Sequence, residues 1–578
     1  PPILSLSFFP LPIIKTMSVL RSLARSLSSR TSVPAISARL YSARVNPDHI
    51  VKSPHADIDI PDQKLVTMVL DKCAQYGDAV AVKDYWHNSE LTYNGLSQKI
   101  RKMAAGFYAN GVRPGDVIGL HSPNRVGYAS CFHAAGLLGA TVTTISPLMT
   151  PTELEYQLKD SGANYLVTGE PCHPVAQKTV EGLQSIKELF TFDENSAGLT
   201  TIDALEALGL EKGEAGQLDV DFFGSNVGVP VNNAEDTVVI PYSSGTSGLP
   251  KGVCLTNRNL VANVLQVLDV EHLTPKDSLI GVLPLFHIYG MLLIMNVSLC
   301  AGARVSLLPK FDLELFLKVL EKEKVTRAHI APPILVGLAK HPLVDKYDLS
   351  SVKVWFSGAA PLGKEVEEAV EKRIPTSKVK QAYGMTEMSP ASNINGDANA
   401  RRGSVGPLVA NMESYIASLE SGESIPPNQV GEICMRGPNV MTGYNNKPDA
   451  NSEVFTADGF FKTGDVGYYD DDGFMHITDR VKELIKVKGY QVAPAELESV
   501  LLAHDAIADA AVIGVKDEND DEKPKAFVVV KADHEVTAEE VKEHVKERVS
   551  YYKQIAEVEF IEQVPKSAAG KILRRMLK

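Results

Sequence analysis

From about residue 90 the sequence alternates helical stretches with short apolar runs: GLSQKIRKMAAGFYANG, DVIGL, a stretch ending AAGLLGA, TVTTI, ELEYQLKDSG and NYLVT. Strands separated by helices of that length form βαβ units, which give a mainly parallel sheet covered on both faces. The alternation resumes after 236 through FDLELFLKVLEKEKV, RAHIAP and VKVWFSGAAP. After 400 it gives way to short strands and turns, VGEICMRGP and GFFKTGDVGYYDDDGFMHI, a smaller β-rich subdomain. Past Arg480 the chain turns rich in Lys and Glu, with AELESVLLAH and AEEVKEHVKERV reading as helices and AAVIGV and KAFVVVKA as strands. The expected fold class is therefore α/β: a large N-terminal domain at 48–479, made of βαβ subdomains and the β-rich piece, followed by a separate, lid-like α+β domain at 480–578. A chain of 578 residues exceeds what one hydrophobic core organises, which fits several domains.

Residues 1–47 differ in character. No Asp or Glu precedes Asp48, while Arg21, Arg25, Arg30, Arg39 and Arg44 lie among Ser, Ala and Leu. Val19, Leu20, Leu23, Ala24 and Leu27 recur at helical spacing with Arg21 and Arg25 on another side, the amphipathic pattern of a mitochondrial transit segment. Met17 is the expected start, residues 1–16 reading as upstream or non-native sequence, and Arg39-Leu40-Tyr41-Ser42 resembles a matrix-protease site cut after Tyr41. A secretory signal over residues 3–14 is the alternative, interrupted by Pro10 and Pro12.

The net charge of −13 argues against a general nucleic-acid surface, since phosphate backbones are bound through clustered Lys and Arg. Six scattered cysteines, without CxxC pairs, suggest neither a disulfide framework nor a zinc site. Leu279 to Ala303 carries no charged residue and is long enough to span a bilayer, but Pro284, His287, Asn296 and several glycines favour a buried strand and helix, with no transmembrane span.

PYSSGTSGLPKG, at 241–252, follows the apolar run TVVI. Glycines let a backbone approach an anion, amides and hydroxyls donate to phosphate oxygens, and Lys251 adds a point charge. The Walker spacing fails, because Pro250 precedes Lys251 and Gly252 follows it. Alone, the stretch is either a phosphate loop of another class or a solvent loop.

Four further segments join it: SGAAP at 357–361, QAYGMTE at 381–387, TGD at 463–465, and DRVKELIKVKGYQVAPAELE at 479–498, followed by PKSAAGKILRR at 565–575. Singly each has a plain reading: a core tyrosine, a common turn, a charged hairpin face, a solvated tail lysine. Together, in this order, they resemble the AMP-forming acyl-adenylating superfamily of acyl-CoA synthetases, firefly luciferase and adenylation domains. The closest likeness is to the 4-coumarate:CoA ligase-like branch, whose two signature boxes SSGTSGLPKG and GEICMRG match.

The resemblance implies an ATP-dependent acid:CoA ligase: acid and ATP give acyl-AMP and pyrophosphate, then acyl-AMP and coenzyme A give acyl-CoA and AMP. Ser243, Ser244, Gly245, Thr246, Ser247, Gly248 and Lys251 would handle the β- and γ-phosphates. Gly358, Ala359, Ala360 and Pro361, with Gln381, Ala382, Tyr383, Gly384 and Met385, would enclose the adenine, Tyr383 stacking on it. Asp465 and Arg480 match the ribose-holding residues, Thr386 a phosphate donor, and Glu387 the Mg²⁺ ligand. Lys571 matches the lysine bridging carboxylate and α-phosphate during adenylation.

Lys482 falls at the family's hinge, so the resemblance implies that the C-terminal α+β domain is mobile. Lys486, Lys488, Gly489 and Gln491 lie on the face implied for thioester formation, with Lys486 catalytic and Lys488 and Gly489 toward CoA. The acyl pocket would include His287, Tyr289, Phe356, Ala382 and Gln491. LFHIYG lacks the Asp of amino-acid adenylating relatives, and hydroxycinnamate specialists carry Lys and Gly where this chain has Phe356 and Ala382. A short- or medium-chain fatty acid or a plain aromatic acid is thus the expected substrate, with a hydroxycinnamate as the alternative. A luciferase-like oxygenase and an inactive nucleotide-binding scaffold are further alternatives.

Overall fold

The computed structural model describes residues 49–194, 198–214, 229–243, 249–487, 490–516, 522–532, 534–567 and 570–577. The 1–48 segment, the transit-segment expectation with it, lies outside them.

Among the described residues the large domain holds two eight-stranded mixed sheets. In the first, Val117–His121 lies centrally, with Thr141–Ile145 and Thr237–Ser243 on one side and Tyr165–Thr168 and Glu188–Thr191 on the other, all parallel. In the second, Lys378–Gly384, Val354–Ser357, Arg327–Ile330, Ser278–Gly281, Arg304–Leu307 and Val80–Asp84 run parallel in that order. The alternation seen in the sequence is thus the parallel core of both sheets. Antiparallel edges come from hairpins, such as Lys251–Thr256 beside Thr237–Ser243.

Helices start where short polar side chains cap them. Thr92 Oγ1 accepts from the Gly95 amide, Thr150 and Glu153 form a capping box, and Thr256 and Asn259 form another. Helices Val126–Leu138 and Asn257–Glu271 each touch both sheets, so one continuous core fills the space between them. The charge-free stretch becomes the strand Ser278–Gly281, a π-helical segment Tyr289–Asn296 and the helix Val297–Ala301, nearly all buried. No helix among the described residues is long and apolar enough to cross a membrane.

Glu413–Ala417, Gly431–Arg436, Phe461–Tyr469 and Met475–Arg480 form an antiparallel sheet, the β-rich piece. Beyond it, the hairpin Ile485–Val487/Tyr490–Val492 and the sheet of Ile507–Lys516, Glu522–Val530 and Glu557–Phe560 pack with helices Pro494–Leu502 and Ala538–Lys546. Ile485, Val492, Leu497, Leu501, Val512, Val528, Val541 and Val545 give this region a core of its own.

Candidate active site

Parallel strands place their following loops at one edge, the usual position of ligands in open α/β sheets. Here Gly281 leads into LPLFHIYG, Ser357 into GAAP and Gly384 into MTE. Asn124, after the central strand of the first sheet, pins the loop of the second. Its Nδ2 donates to the carbonyls of Gly281, Leu283 and Leu308 at 3.0–3.1 Å, and its Oδ1 accepts from the Leu285 amide at 2.7 Å. Two residues on, His287 is half-buried, and its Nδ1 accepts from the Tyr289 amide at 3.3 Å. Burial and the nearby Lys571 ammonium pull its pKa down to about 4. The ring is therefore neutral, with Nε2 carrying the proton.

The Tyr289 hydroxyl donates to the Phe356 carbonyl at 3.2 Å, and its ring lies where a Cβ at Gly358 would approach to 2.9 Å. Glycine alone permits that packing. Ala359 takes φ +74, left-handed backbone that a non-glycine residue adopts at a cost of about 1 kcal/mol. Gln381 braces the loop from beneath: its Oε1 accepts from the Leu362 amide, and its Nε2 donates to the Leu362 carbonyl and, at 2.7 Å, to buried Glu367. Burial lifts the Glu367 carboxyl to about 7.

Asp465 and Arg480 are opposite partners in the antiparallel pair Phe461–Tyr469/Met475–Arg480, which brings Arg480 Nε to 3.1 Å from Asp465 Oδ1. The Tyr383 hydroxyl donates to Asp465 Oδ2 at 2.7 Å. Burial and this carboxylate push the Tyr383 phenol well above its ordinary pKa, so it remains a donor.

Glu387 is buried, and its Oε1 accepts from the Tyr444 hydroxyl at 2.9 Å. The Lys251 ammonium lies 4.7 Å from the centre of the same ring, because Tyr444 sits on the strand paired with Lys251–Thr256. Tyr444 thus joins Lys251 to the carboxylate, a link that spacing gave no means to find. Thr386 is buried beside Glu387, and Ser243 pairs across the hairpin with Lys251. Ser244, Gly245, Thr246, Ser247 and Gly248 lie outside the described residues. One oriented carboxylate suits a small hard cation whose other ligands are phosphates and waters, and no cluster of three ligating side chains occurs among the described residues.

Lys571 is presented by a tight turn. Its amide donates to Ser567 Oγ at 3.2 Å, its carbonyl accepts from the Ser567 amide at 2.8 Å, and Gly570 takes φ +83. A Cβ on Gly570 would stand 3.4 Å from the Ala331 Cβ, so the turn docks against the large domain. Burial and the Arg480 guanidinium lower the Lys571 pKa to about 8. Arg574 anchors the same tail, 2.7 Å from both Glu483 and Glu498.

The remaining candidates are elsewhere. Lys486 and Gln491 are opposite partners on the hairpin, both exposed, because Ile485, Val487 and Val492 take the inward positions. In this arrangement Gln491 lies on the exposed hairpin face, apart from His287 and Phe356, which Tyr289 links. Lys482 is exposed between Arg480 and the hairpin, and Lys488 and Gly489 lie outside the described residues.

The AMP-binding enzyme family matches residues 69–445, and the AMP-binding enzyme C-terminal domain matches 496–571. This chain belongs to the AMP-binding enzyme family. It is 39% identical over 545 residues to 4-coumarate-CoA ligase 1 of Narcissus pseudonarcissus, covering 92% of this chain and 96% of that one. It is 38% identical over 536 residues to the probable 4-coumarate–CoA ligase 1 of Dictyostelium discoideum, covering 91% and 97%. Among solved structures, the Bacillus subtilis o-succinylbenzoate CoA synthetase in complex with its acyl-adenylate OSB-AMP superposes with a TM-score of 0.74 at 27% identity, covering 89% of this chain and 98% of that one. An anthranilate CoA ligase bound to anthranoyl-AMP shares the fold with a TM-score of 0.81. The fold, a large N-terminal and a smaller C-terminal domain, is therefore shared with both of these structures.

Proposed function

We propose that this AMP-forming acid:CoA ligase, which works through an acyl-adenylate, acts on a compact carboxylic acid and uses its C-terminal domain twice. A carboxylate is a poor electrophile until its oxygen becomes a leaving group. Attack on the α-phosphate of ATP achieves this, and two anions must then meet. Lys571, the phosphate loop with Lys251, and Thr386 supply the positive and hydrogen-bonding groups for that encounter. Mg²⁺, held by Glu387 and the phosphates, would contribute Lewis-acid charge neutralisation. Asp465 and Arg480 would hold the ribose, with Tyr383 and the 358–361 loop around the base.

The observation that carries this reading is convergence: the Gly570 turn packs on Ala331 of the large domain, and the Lys571 ammonium it presents lies close enough to Asp465 and Arg480 to feel their charges and to His287 to help keep that ring neutral. For the second step the C-terminal domain would turn about Lys482, withdraw Lys571 and bring Lys486, Lys488 and Gly489 over the adenylate for attack by the CoA thiol. Gln491 would join the pocket only then.

Phe356 and Ala382 favour a short- or medium-chain aliphatic acid, as in fatty-acid metabolism, or a single-ring aromatic acid. The 4-coumarate-CoA ligases among the relatives support hydroxycinnamates as the second reading. The arginine-rich, acid-free N-terminal composition supports import into the mitochondrial matrix, which sequencing the N-terminus of the protein recovered from mitochondria tests.

Pyrophosphate release with MgATP, CoA and acetate through decanoate, benzoate, cinnamate and coumarate tests the substrate class. Turnover of the aliphatic acids and benzoate without coumarate is expected. A clear preference for coumarate would transfer the assignment to hydroxycinnamates.

A further inference from the structure

Strand register defines what an acid meets beyond its carboxylate. Gly358 and Ala382 lie at the strand ends beside the adenylate loops, and side chains two residues back point to the same face. Those are Phe356 and Lys380, which are cross-strand partners, and His329 is the partner of Phe356 on the next strand. The row His329–Phe356–Lys380 therefore lies behind those loops, ~7 Å from Gly358 and Ala382 at the rise of a strand.

Two of these three are polar, and they differ in one respect. Lys380 is fully engaged, pairing with buried Glu271 and, at 2.6 Å, with Asp397. Arg327 closes the same network, 3.1 Å from Glu271 and 2.5 Å from Asp397. His329 is wholly buried, yet neither ring nitrogen has a hydrogen-bond partner. Its ring stacks on Phe356 at 4.6 Å and meets the edge of Tyr289 at 6.0 Å, so it lies against the two aromatic residues that the resemblance assigns to the acyl pocket. Burial, with Lys380 and Arg327 nearby, keeps the imidazole neutral. A neutral imidazole offers one N–H donor and one acceptor, and leaving both unmet in a core is costly.

We propose that His329 recognises a hydroxyl group at the far end of the acid. A hydroxyl both donates and accepts, which matches a neutral imidazole, and the closed Lys380–Glu271–Arg327–Asp397 network leaves no spare charge for an ionic group. The substrate class becomes a compact hydroxy acid whose hydroxyl lies ~7 Å from the carboxylate end of the pocket, either phenolic or on a short aliphatic chain. This rests on the acid:CoA ligase reading above.

The test compares matched pairs in wild type, His329→Leu and His329→Gln: benzoate with 4-hydroxybenzoate, and hexanoate with 6-hydroxyhexanoate, each followed as acyl-CoA formed. The wild-type enzyme should prefer at least one hydroxylated member about tenfold or more in kcat/KM, since a site built for a hydroxyl discriminates against its absence. His329→Leu should level that pair while the KM for ATP stays unchanged, and His329→Gln should keep part of the preference. Which pair responds separates the phenolic from the aliphatic source. Equal use of both members of each pair by the wild-type enzyme, or a preference that survives His329→Leu, would overturn the proposal and leave the ligase intact. If His329→Leu does not fold, the wild-type comparison and His329→Gln decide. Absence of acyl-CoA with every acid would remove the ligase reading and this one together.

Discussion

The two halves of the active site are built in opposite ways. In the large domain Tyr383, Asp465 and Arg480 satisfy one another, and Lys251, Tyr444 and Glu387 form a second linked set. These groups are fixed before any ligand arrives, as electrostatic preorganisation requires. The C-terminal domain has its own core and offers a single lysine on a short turn, held near the site by the Gly570 contact and tied to its own domain by Arg574. Its other described candidates, Lys482, Lys486 and Gln491, are exposed. A fixed half can hold one adenylate through two reactions, whereas a delivered half can be exchanged between them.

The contrast is sharpest at Lys571. Replacing it with alanine should slow adenylation by about 10²–10³-fold, measured as acid-dependent ATP–pyrophosphate exchange, while conversion of supplied acyl-AMP to acyl-CoA stays near normal. Loss of both half-reactions together would erase the distinction between the halves. Its pKa near 8 makes the same point through pH. The charged form works, and in the ligand-free enzyme it is lost as pH rises through that value. The adenylation kcat/KM for ATP, which reports the free enzyme, should fall about tenfold per pH unit above 8. Lys571→Arg, charged throughout, should flatten that limb.

Within the fixed half, Tyr444→Phe removes one hydrogen bond to a buried carboxylate. It should raise the Mg²⁺ requirement and lower adenylation about tenfold, seen in metal titrations of pyrophosphate release. The smallest effect is expected at Lys486→Ala, which should leave adenylation within about twofold, as for an exposed substitution, yet slow thioester formation from supplied acyl-AMP. A matching loss in adenylation would place Lys486 in the fixed half instead.

Much of this was legible in the sequence because its signals are local. The helix–strand alternation at 95–168 corresponds to helices Tyr93–Ala109, Val126–Leu138 and Pro151–Ser161 and the strands between them. The glycine turns and polar clusters stand at the loop edge. What stayed hidden depends on pairing between distant strands. Tyr444 meets Lys251 and Glu387 only because Gly443–Tyr444 adds to the edge of the first sheet. Asn124 reaches across from one sheet to the loop of the other. His329 reads as a core histidine until register sets it beside Phe356. Gln491 illustrates the converse: its place on the hairpin was legible, but what that exposed face meets depends on domain orientation, which no local pattern encodes.

A disulfide between cysteines at positions 331 and 570 tests the exchange of halves most directly. The Cβ separation of 3.4 Å built at Gly570 is near disulfide geometry, and a cysteine at φ +83 there costs about 1–2 kcal/mol. With Ala331→Cys and Gly570→Cys oxidised, the domain is held as described, and a turning domain predicts acyl-AMP formation without acyl-CoA until reductant is added. Acyl-CoA formed at an undiminished rate by the oxidised protein would contradict it.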